Sequence, residues 1–221
     1  LYMNVGIIGS GGREHAICLN IKKSKKIDTI YCFPGNAGTA KIATNVKINE
    51  NNFDEIKTFV LKKNIKLIIV GPEKPLVNGI VNYFNQINVE VFGPNQEASQ
   101  LEGSKIFTKK ICQKFNIPTA NFGICQNFDE AEKFLEKSKY PVVIKADGLA
   151  SGKGVYICDN KFQALEAIKE IFDGKFGNAE NLLIEEFLEG EEMSYFVITD
   201  GTSIKSFNTA QDHKRVLEGD K

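Results

Sequence analysis

The chain has 221 residues, enough for one large domain or two small ones. Lys plus Arg and Asp plus Glu each number 28, so the chain lacks the basic excess typical of polynucleotide-binding proteins. Hydrophobic residues make up 42% of the chain, which supplies a core and excludes disorder throughout. Neither a basic leader nor an apolar run of roughly 20 residues is present, so we expect a cytoplasmic protein with no nucleic-acid or membrane partner.

Five cysteines form no C-x-x-C pair, and only two histidines are present. An odd number of cysteines without metal-ligand spacing is typical of a reducing compartment. We therefore expect no disulfide framework and no zinc site.

Short β-branched runs alternate with helical patterns over the first hundred residues. Strands are predicted at 4–8, 29–33, 66–70 and 89–92, and helices at about 14–23, 53–63 and 75–86. This alternation predicts right-handed βαβ crossovers and a parallel sheet. Ligands of such sheets bind beyond the carboxyl ends of the strands, where this chain has loops rich in glycine and proline.

The pattern changes after Gly103 to an α+β arrangement. Helices are predicted at 104–115, 129–137 and 162–172, and strands at 142–145, 155–158, 181–186, 194–199 and 203–207. Asp200-Gly201 between the last two strands predicts a hairpin turn. The fold class is thus α/β, with a parallel Rossmann-like domain at 3–103 followed by an α+β portion at 104–221.

The first glycine loop follows a strand and opens a helix, as a dinucleotide-binding fingerprint would. Glu14 stands where the third glycine of that fingerprint belongs, and Phe33-Pro34-Gly35 replaces the ribose-binding acid, so a nicotinamide cofactor is disfavoured. Backbone amides at a helix N-terminus beside Arg13 favour a small phosphate or carboxylate. The alternative is a tight turn without a ligand.

The second glycine loop, at 148–154, differs from a Walker A loop. Three residues separate Gly148 and Gly152, Gly154 replaces the Ser/Thr, and the loop joins two strands. Such a loop can fold over a triphosphate as a flap, with its amides and Lys153 facing the oxygens. Lys145, on the preceding strand, would then reach the phosphates; the alternative is a lysine that extends to solvent.

Two polar stretches complete the candidate site. Residues 185–192 hold five carboxylates, which suit an adenine edge and ribose hydroxyls, although such a patch can also be solvated surface. In the cluster at 211–215, Lys214 and Arg215 could clamp a phosphate or carboxylate. His213 is assigned no chemistry.

Six motifs in order carry a family resemblance: GSGGREH (9–15), PGNAGT (34–39), VGPE (70–73), QLEGSK (100–105), KADGLASGKG (145–154) and QDHKR (211–215). Together they resemble the phosphoribosylamine–glycine ligases, or glycinamide ribonucleotide synthetases, which are ATP-grasp enzymes of de novo purine synthesis. The resemblance implies a pre-ATP-grasp domain at 3–103 and an ATP-grasp portion at 104–221. A smaller subdomain at 121–189 would carry the flap.

The resemblance implies that ATP drives the ligation of glycine to 5-phosphoribosylamine through a glycyl phosphate, giving glycinamide ribonucleotide, ADP and phosphate. By position, the implied ATP-binding residues are Lys105, Lys145, Ser151, Gly152, Lys153, Gly154, Glu185, Glu186, Leu188 and Glu192. The implied substrate-binding residues are Gly11, Gly12, Arg13, Asn36, Gly38, Thr39, Glu73, Asp212, Lys214 and Arg215. Lys145, Lys214 and Arg215 would be catalytic.

The resemblance also implies Mg²⁺ or Mn²⁺, with metal ligands beyond residue 221 and none within this chain, because family members continue for about as long again. We therefore expect residues 1–221 alone to be an inactive amino-terminal portion. Formation of glycinamide ribonucleotide by residues 1–221 would contradict this. The alternatives are another ATP-grasp carboxylate ligase, such as a carboxylase, and a non-catalytic nucleotide- or phosphoribosyl-binding module.

Overall fold

The computed structural model describes residues 2–149, 154–177, 180–213 and 218–219. The chain divides into two compact units, Leu1–Glu186 and Phe187–Lys221. The predicted domain boundary after residue 103 lies inside the first unit and stays a prediction.

The first unit begins with a five-stranded parallel sheet in the order β3-β2-β1-β4-β5. Its strands are β1 (Met3–Gly9), β2 (Ile27–Pro34), β3 (Thr44–Asn45), β4 (Ile65–Val70) and β5 (Glu90–Phe92). Its helices are α1 (Gly12–Ile21), α2 (Phe53–Lys62), α3 (Glu73–Val77) and α4 (Ile80–Asn85). The predicted parallel sheet is confirmed, and the edge strand β3 adds to the four strands predicted.

Alternating side chains of the central strand β1 pack into two hydrophobic cores, one on each face of the sheet. Ile7 packs with Cys18 of α1 and Cys32 of β2, whereas Ile8 packs with Ile56 of α2. Because successive side chains of a strand point to opposite faces, one short apolar run anchors helices on both sides of the sheet. The first glycine loop therefore follows a strand that is packed on both faces.

The prediction of a single helix at 75–86 is wrong, because two helices, α3 and α4, lie there instead. Gly79 separates them with φ of +87°, a left-handed conformation that glycine adopts without steric cost. The backbone N–H of Asn78 ends α3 by donating to the carbonyl oxygen of Lys74. The apolar spacing correctly predicts helical structure in this region, but Gly79 divides it into two helices.

A second, antiparallel sheet in the order β6-β9-β7-β8 completes the first unit. Its strands are β6 (Phe122–Cys125), β7 (Val142–Ala146), β8 (Val155–Cys158) and β9 (Leu182–Glu186). The helices of this part are α5 (Gln100–Gly103), α6 (Lys105–Phe115), α7 (Phe128–Leu135) and α8 (Lys161–Phe172). The predicted α+β pattern is confirmed, with β6 and α5 as unpredicted additions.

Side-chain caps define where three of these helices begin. Ser104, Asn127 and Asn160 accept hydrogen bonds from the backbone amide three residues ahead, at 3.0, 2.9 and 3.0 Å. Each cap satisfies an amide that has no partner inside the helix. The apolar faces of α7 and α8 then pack against the antiparallel sheet, burying Leu135 and Ile168.

The second unit contains a hairpin of β10 (Ser194–Thr199) and β11 (Ile204–Ala210). The carboxylate of Asp200 accepts from the amides of Thr202 and Ser203, and Gly201 has φ of +92°. This confirms the predicted hairpin turn. No helix within the described ranges has the length and apolar character needed to cross a membrane.

Candidate functional site

Glu14 lies against Gly9 and Gly71, at the carboxyl ends of the paired strands β1 and β4. It is buried, and its Oε2 accepts a 2.6 Å hydrogen bond from the amide of Gly11. A Cβ on Gly71 would lie 1.9 Å from Glu14 Oε1, and one on Gly9 would lie 2.7 Å from its Cγ. The glycines therefore leave the space that this carboxylate fills, which explains why Glu14 replaces the third glycine of the fingerprint.

Arg13 joins Glu14 to the loop after β4. Its Nε lies 3.1 Å from Glu14 Oε1, and its Nη1 lies 3.1 Å from Glu73 Oε1. The side chain is 55% exposed, and only two of the five guanidinium N–H groups are used in these contacts. The pKa of Glu73 is lowered, first by its own backbone amide and then by Arg13.

Asn36 organises the loop after β2. Its Nδ2 donates to the carbonyls of Ser10 and Gly11, and its Oδ1 accepts from the amides of Gly38 and Thr39 at 2.7 and 3.0 Å. The two loops that follow β1 and β2 are thus joined through one side chain.

Gly38 and Thr39, in the same loop as Asn36, make close contacts within the protein. Thr39 is buried, and its hydroxyl lies 2.7 Å from Asn45 Oδ1. A Cβ on Gly38 would lie 2.6 Å from the His15 ring, so this glycine permits a close approach. The substrate-binding residues predicted within the first hundred positions come together at the carboxyl ends of β1, β2 and β4. The Thr39 side chain, however, contacts its own loop.

A cleft of about 890 Å³ lies in the first unit. Four lysines and three glutamates line it: Lys74, Lys105, Lys109, Lys145, Glu73, Glu102 and Glu185. Gly148 and Gly154, which flank the second glycine loop, also line it. The cleft therefore runs from the antiparallel sheet to Glu73, the partner of Arg13.

Lys145 and Glu185 meet across adjacent strands. Lys145 of β7 pairs with Leu183 of β9, which puts Glu185 on the same face at the diagonal position. Lys145 Nζ lies 3.0 Å from Glu185 Oε2, and Lys109 Nζ of α6 lies 3.3 Å from the same oxygen. This places two ammonium groups on one buried carboxylate, an arrangement that lowers the cost of burying each charge.

Lys105 ties the start of α6 to the end of β7. Its Nζ donates to the carbonyl oxygens of Ala146 and Gly148 at 3.0 and 2.9 Å. Between these carbonyls, the Asp147 carboxylate accepts from Ser104 Oγ and from the amide of Ile106. Burial lowers the pKa of Lys105, and Asp147 opposes this shift.

The remaining described candidates lie at the end of β9 and in the second unit. Glu186 is exposed and accepts from the amide and the side chain of Asn121. The second unit has a cavity of about 1010 Å³ whose lining includes Leu188, Glu192 and Asp212. Ser151, Gly152, Lys153, Lys214 and Arg215 lie outside the described residues.

Over the described ranges, no group of three or more His, Cys, Asp or Glu side chains could hold a metal ion. The five cysteines carry free thiols.

Sequence reasoning missed Glu14, Lys109 and Asp147 as members of these clusters. The spacing of Lys105 and Lys109 by four residues puts both on one face of α6, a signal that was available. No local signal indicated that Glu14 would fill space left by Gly71, because these residues are far apart in sequence.

Comparisons with known proteins extend over the whole chain. The profile of the phosphoribosylglycinamide synthetase N domain matches residues 3–102, and that of its ATP-grasp (A) domain matches residues 103–221. The chain belongs to the phosphoribosylglycinamide synthetase family. Phosphoribosylamine–glycine ligase of Clostridium acetobutylicum is 45% identical over 221 residues, covering 99% of this chain and 53% of that protein.

Solved structures share the fold of this chain. The crystal structure of phosphoribosylamine–glycine ligase from Thermotoga maritima is 33% identical with a TM-score of 0.83, and covers 99% of this chain and 52% of that one. The biotin carboxylase domain of Hydrogenobacter thermophilus 2-oxoglutarate carboxylase, solved with MgADP and bicarbonate, has a TM-score of 0.76 at 19% identity over 95% of this chain and 50% of that one. This second likeness concerns the fold alone.

The predicted fold class, a Rossmann-like sheet followed by ATP-grasp structure, is confirmed. The chain spans about half the length of the curated relatives that it matches.

Proposed function

We propose that the protein containing this chain ligates glycine to 5-phosphoribosylamine with ATP, through a glycyl phosphate. The products are glycinamide ribonucleotide, ADP and phosphate. The observation that carries the proposal is the cleft, which Lys105, Lys145 and Glu185 line together with Glu73, the ion-pair partner of Arg13. Family membership over residues 3–221 supports it.

The lysine-lined part of the cleft fits a nucleoside triphosphate. The cleft as a whole, at about 890 Å³, is in the range of roughly 300–1,000 Å³ typical of small-molecule sites, and four lysines and three glutamates line it. When bound, ATP supplies the phosphoryl group that makes the carboxylate of glycine electrophilic. Lys105 and Lys145 offset negative charge on the phosphates, and Lys145 is the catalytic one. Ser151, Gly152, Lys153 and Gly154 bind the phosphates.

For the nucleoside, Glu185 and residues 186–188 contact adenine and Glu192 contacts ribose. Glu185 can accept from an amino group because Oε1 receives no hydrogen bond from the described residues.

Residues at the edge of the parallel sheet bind 5-phosphoribosylamine. Gly11, Gly12 and Arg13 offer helix N-terminal amides and a guanidinium to its phosphate. Asn36, Gly38 and Thr39 shape the adjoining loop, and Glu73 accepts from the sugar or the amine. Asp212, Lys214 and Arg215 contact substrate, and the two cations among them contribute to catalysis. Mg²⁺ or Mn²⁺ would offset phosphate charge when bound, and none of the residues named above would hold it.

The test is ligation by the full-length protein with ATP, Mg²⁺, glycine and freshly prepared 5-phosphoribosylamine. We expect glycinamide ribonucleotide by mass spectrometry, in equal amounts with ADP, only when all substrates are present. Lys145→Met should lower kcat/KM by about 100-fold or more, because a phosphate-facing charge is lost. Lys139→Met, an exposed lysine before β7, is the matched control and should retain activity.

Two other outcomes would contradict the proposal. Bicarbonate-dependent ADP formation without glycine would indicate a carboxylase. ATP binding by calorimetry without ligation under any of these conditions would indicate a nucleotide-binding module.

A further inference from the structure

Lys109 is a buried lysine that the proposed function leaves without a role. Its side chain is 9% exposed, although lysine is among the residue types least often buried. Its ammonium donates to Thr119 Oγ1 at 2.7 Å and to the carbonyl oxygen of Ala120 at 3.2 Å. Its third polar neighbour is Glu185 Oε2, at 3.3 Å. A buried ammonium needs such partners, and all three are groups of the protein.

The Glu185 carboxylate is divided between the protein and the cleft. Its Oε2 lies 3.3 Å from Lys109 Nζ and 3.0 Å from Lys145 Nζ. Its Oε1 accepts nothing from the described residues, and Glu185 is part of the cleft lining. One oxygen is therefore held by cations while the other remains available to a ligand.

Lys109 and Lys145 differ in what they can reach. The side chain of Lys145 is 26% exposed, nearly three times the fraction of Lys109. Lys109 Nζ also lies 5.3 Å from the centroid of the Phe122 ring, in a cation–π contact on the protein side. Both lysines line the cleft, but Lys145 is the more exposed of the two, and the polar contacts of Lys109 are all with groups of the protein.

We propose that Lys109 is a positioning residue for nucleotide binding: it fixes the Glu185 carboxylate so that Oε1 accepts from the exocyclic amine of adenine. The inference rests on the proposed function, which puts adenine against Glu185. Without Lys109, Lys145 is the sole described cation on Oε2, and the orientation of the Glu185 carboxylate is no longer fixed from the protein side. The contact with the base then weakens.

The experiment compares Lys109→Met with Lys110→Met in the full-length protein. Lys110 follows Lys109 on α6 and is exposed, so it is a matched control. For Lys109→Met we expect the KM for ATP to rise about tenfold or more, the loss of one charge-assisted contact. The kcat and the KM for glycine should stay within about twofold. The preference for ATP over GTP should fall, because GTP has a carbonyl where ATP has the amine, and Lys109→Arg should restore part of it.

A double variant tests whether Lys109 acts through Glu185. Lys109→Met with Glu185→Gln should raise the KM for ATP no further than Glu185→Gln alone, since coupled residues are not additive. Additive effects, or an unchanged KM for ATP in Lys109→Met, would overturn the inference.

If Lys109→Met does not fold, Thr119→Val replaces it by removing one contact of the ammonium. A rise of several-fold in the KM for ATP is then expected, and an unchanged KM would contradict the inference. Wild-type protein without glycine-dependent ligation would overturn the proposed function instead. Calorimetric binding of ATP and GTP to the same variants would still test the role of Lys109.

Discussion

Two buried carboxylates in the first unit are stabilised in opposite ways. Glu14 fits a space left by Gly9 and Gly71 and accepts from the amide of Gly11. Glu185 lies between the ammonium groups of Lys109 and Lys145. The first depends mainly on shape and backbone geometry, with an exposed arginine as its cation, whereas the second depends on charge.

This difference matches what each site is proposed to bind. A carboxylate held by shape leaves the guanidinium of Arg13 and the amides of α1 available for a compact anion. A carboxylate held between two lysines leaves net positive charge along the cleft, which suits a triphosphate. The two carboxylates should therefore respond to different substitutions.

The largest effect is expected for Glu185→Gln. Removing the charge leaves two neighbouring ammonium groups, one of them buried, so the free energy of unfolding should fall by about 3 kcal/mol. Equilibrium urea unfolding of the full-length protein measures this. Glu90→Gln, the same change at an exposed strand position, should stay within about 0.5 kcal/mol of wild type. Equal effects of the two would mean that charge does not hold Glu185.

A smaller loss is expected for Gly71→Ala, which tests the role of shape at Glu14. The new Cβ would lie 1.9 Å from Glu14 Oε1, so the carboxylate must leave the amide of Gly11, at a cost of about 1–3 kcal/mol. Gly12→Ala is the control, because a Cβ there meets nothing within 4 Å.

The same unfolding measurement on a double variant separates shape from charge at this site. Gly71→Ala combined with Glu14→Ala should be about as stable as Glu14→Ala alone. Full additivity would show that the clash is not with Glu14.

The smallest effect concerns the exposed pair of Arg13 and Glu73. Because the folded-state pKa of Glu73 is lowered, its carboxylate stabilises the folded protein above its ordinary pKa of 4.5, and this stabilisation is lost as the pH falls through the folded-state value. Glu73→Gln should lower the free energy of unfolding by under about 1 kcal/mol at pH 7, since the side chain is 47% exposed. It should also flatten the decline of this free energy below pH 4.5.

Urea unfolding at a series of pH values from 7 to 3 gives the slope of the free energy of unfolding against pH. Arg13→Gln removes only the second cause of the lowered pKa, after the backbone amide, so its slope should lie between those of wild type and Glu73→Gln. A slope for Arg13→Gln as flat as that of Glu73→Gln would assign the whole shift to Arg13.

Much of the fold could be predicted because its signals are local. The alternation of strand and helix predicted the parallel sheet, and Asp200-Gly201 predicted the hairpin turn. The elements that were missed, β3, β6 and α5, are only two to four residues long. Pairing with a neighbouring strand stabilises β3 and β6, and their own sequence carries little signal.

The candidate site was predictable residue by residue but not as an arrangement. The motifs named Arg13 and Lys145, and the carboxylate-rich stretch at 185–192 named Glu185. The structure brings each of these residues into a charged cluster. The sequence did not predict that Lys109 would share Glu185, or that Asp147 would bind Ser104, because these contacts join segments up to 76 residues apart.

By itself, the sequence determined the fold class, the family and the residue types of the site, since periodicity and motif order are properties of the chain. Only the tertiary structure decided which charges meet. Burial makes that decision: a carboxylate removed from water must find a partner, and whether this is the amide of Gly11 or the ammonium of Lys109 depends on which segments pack together.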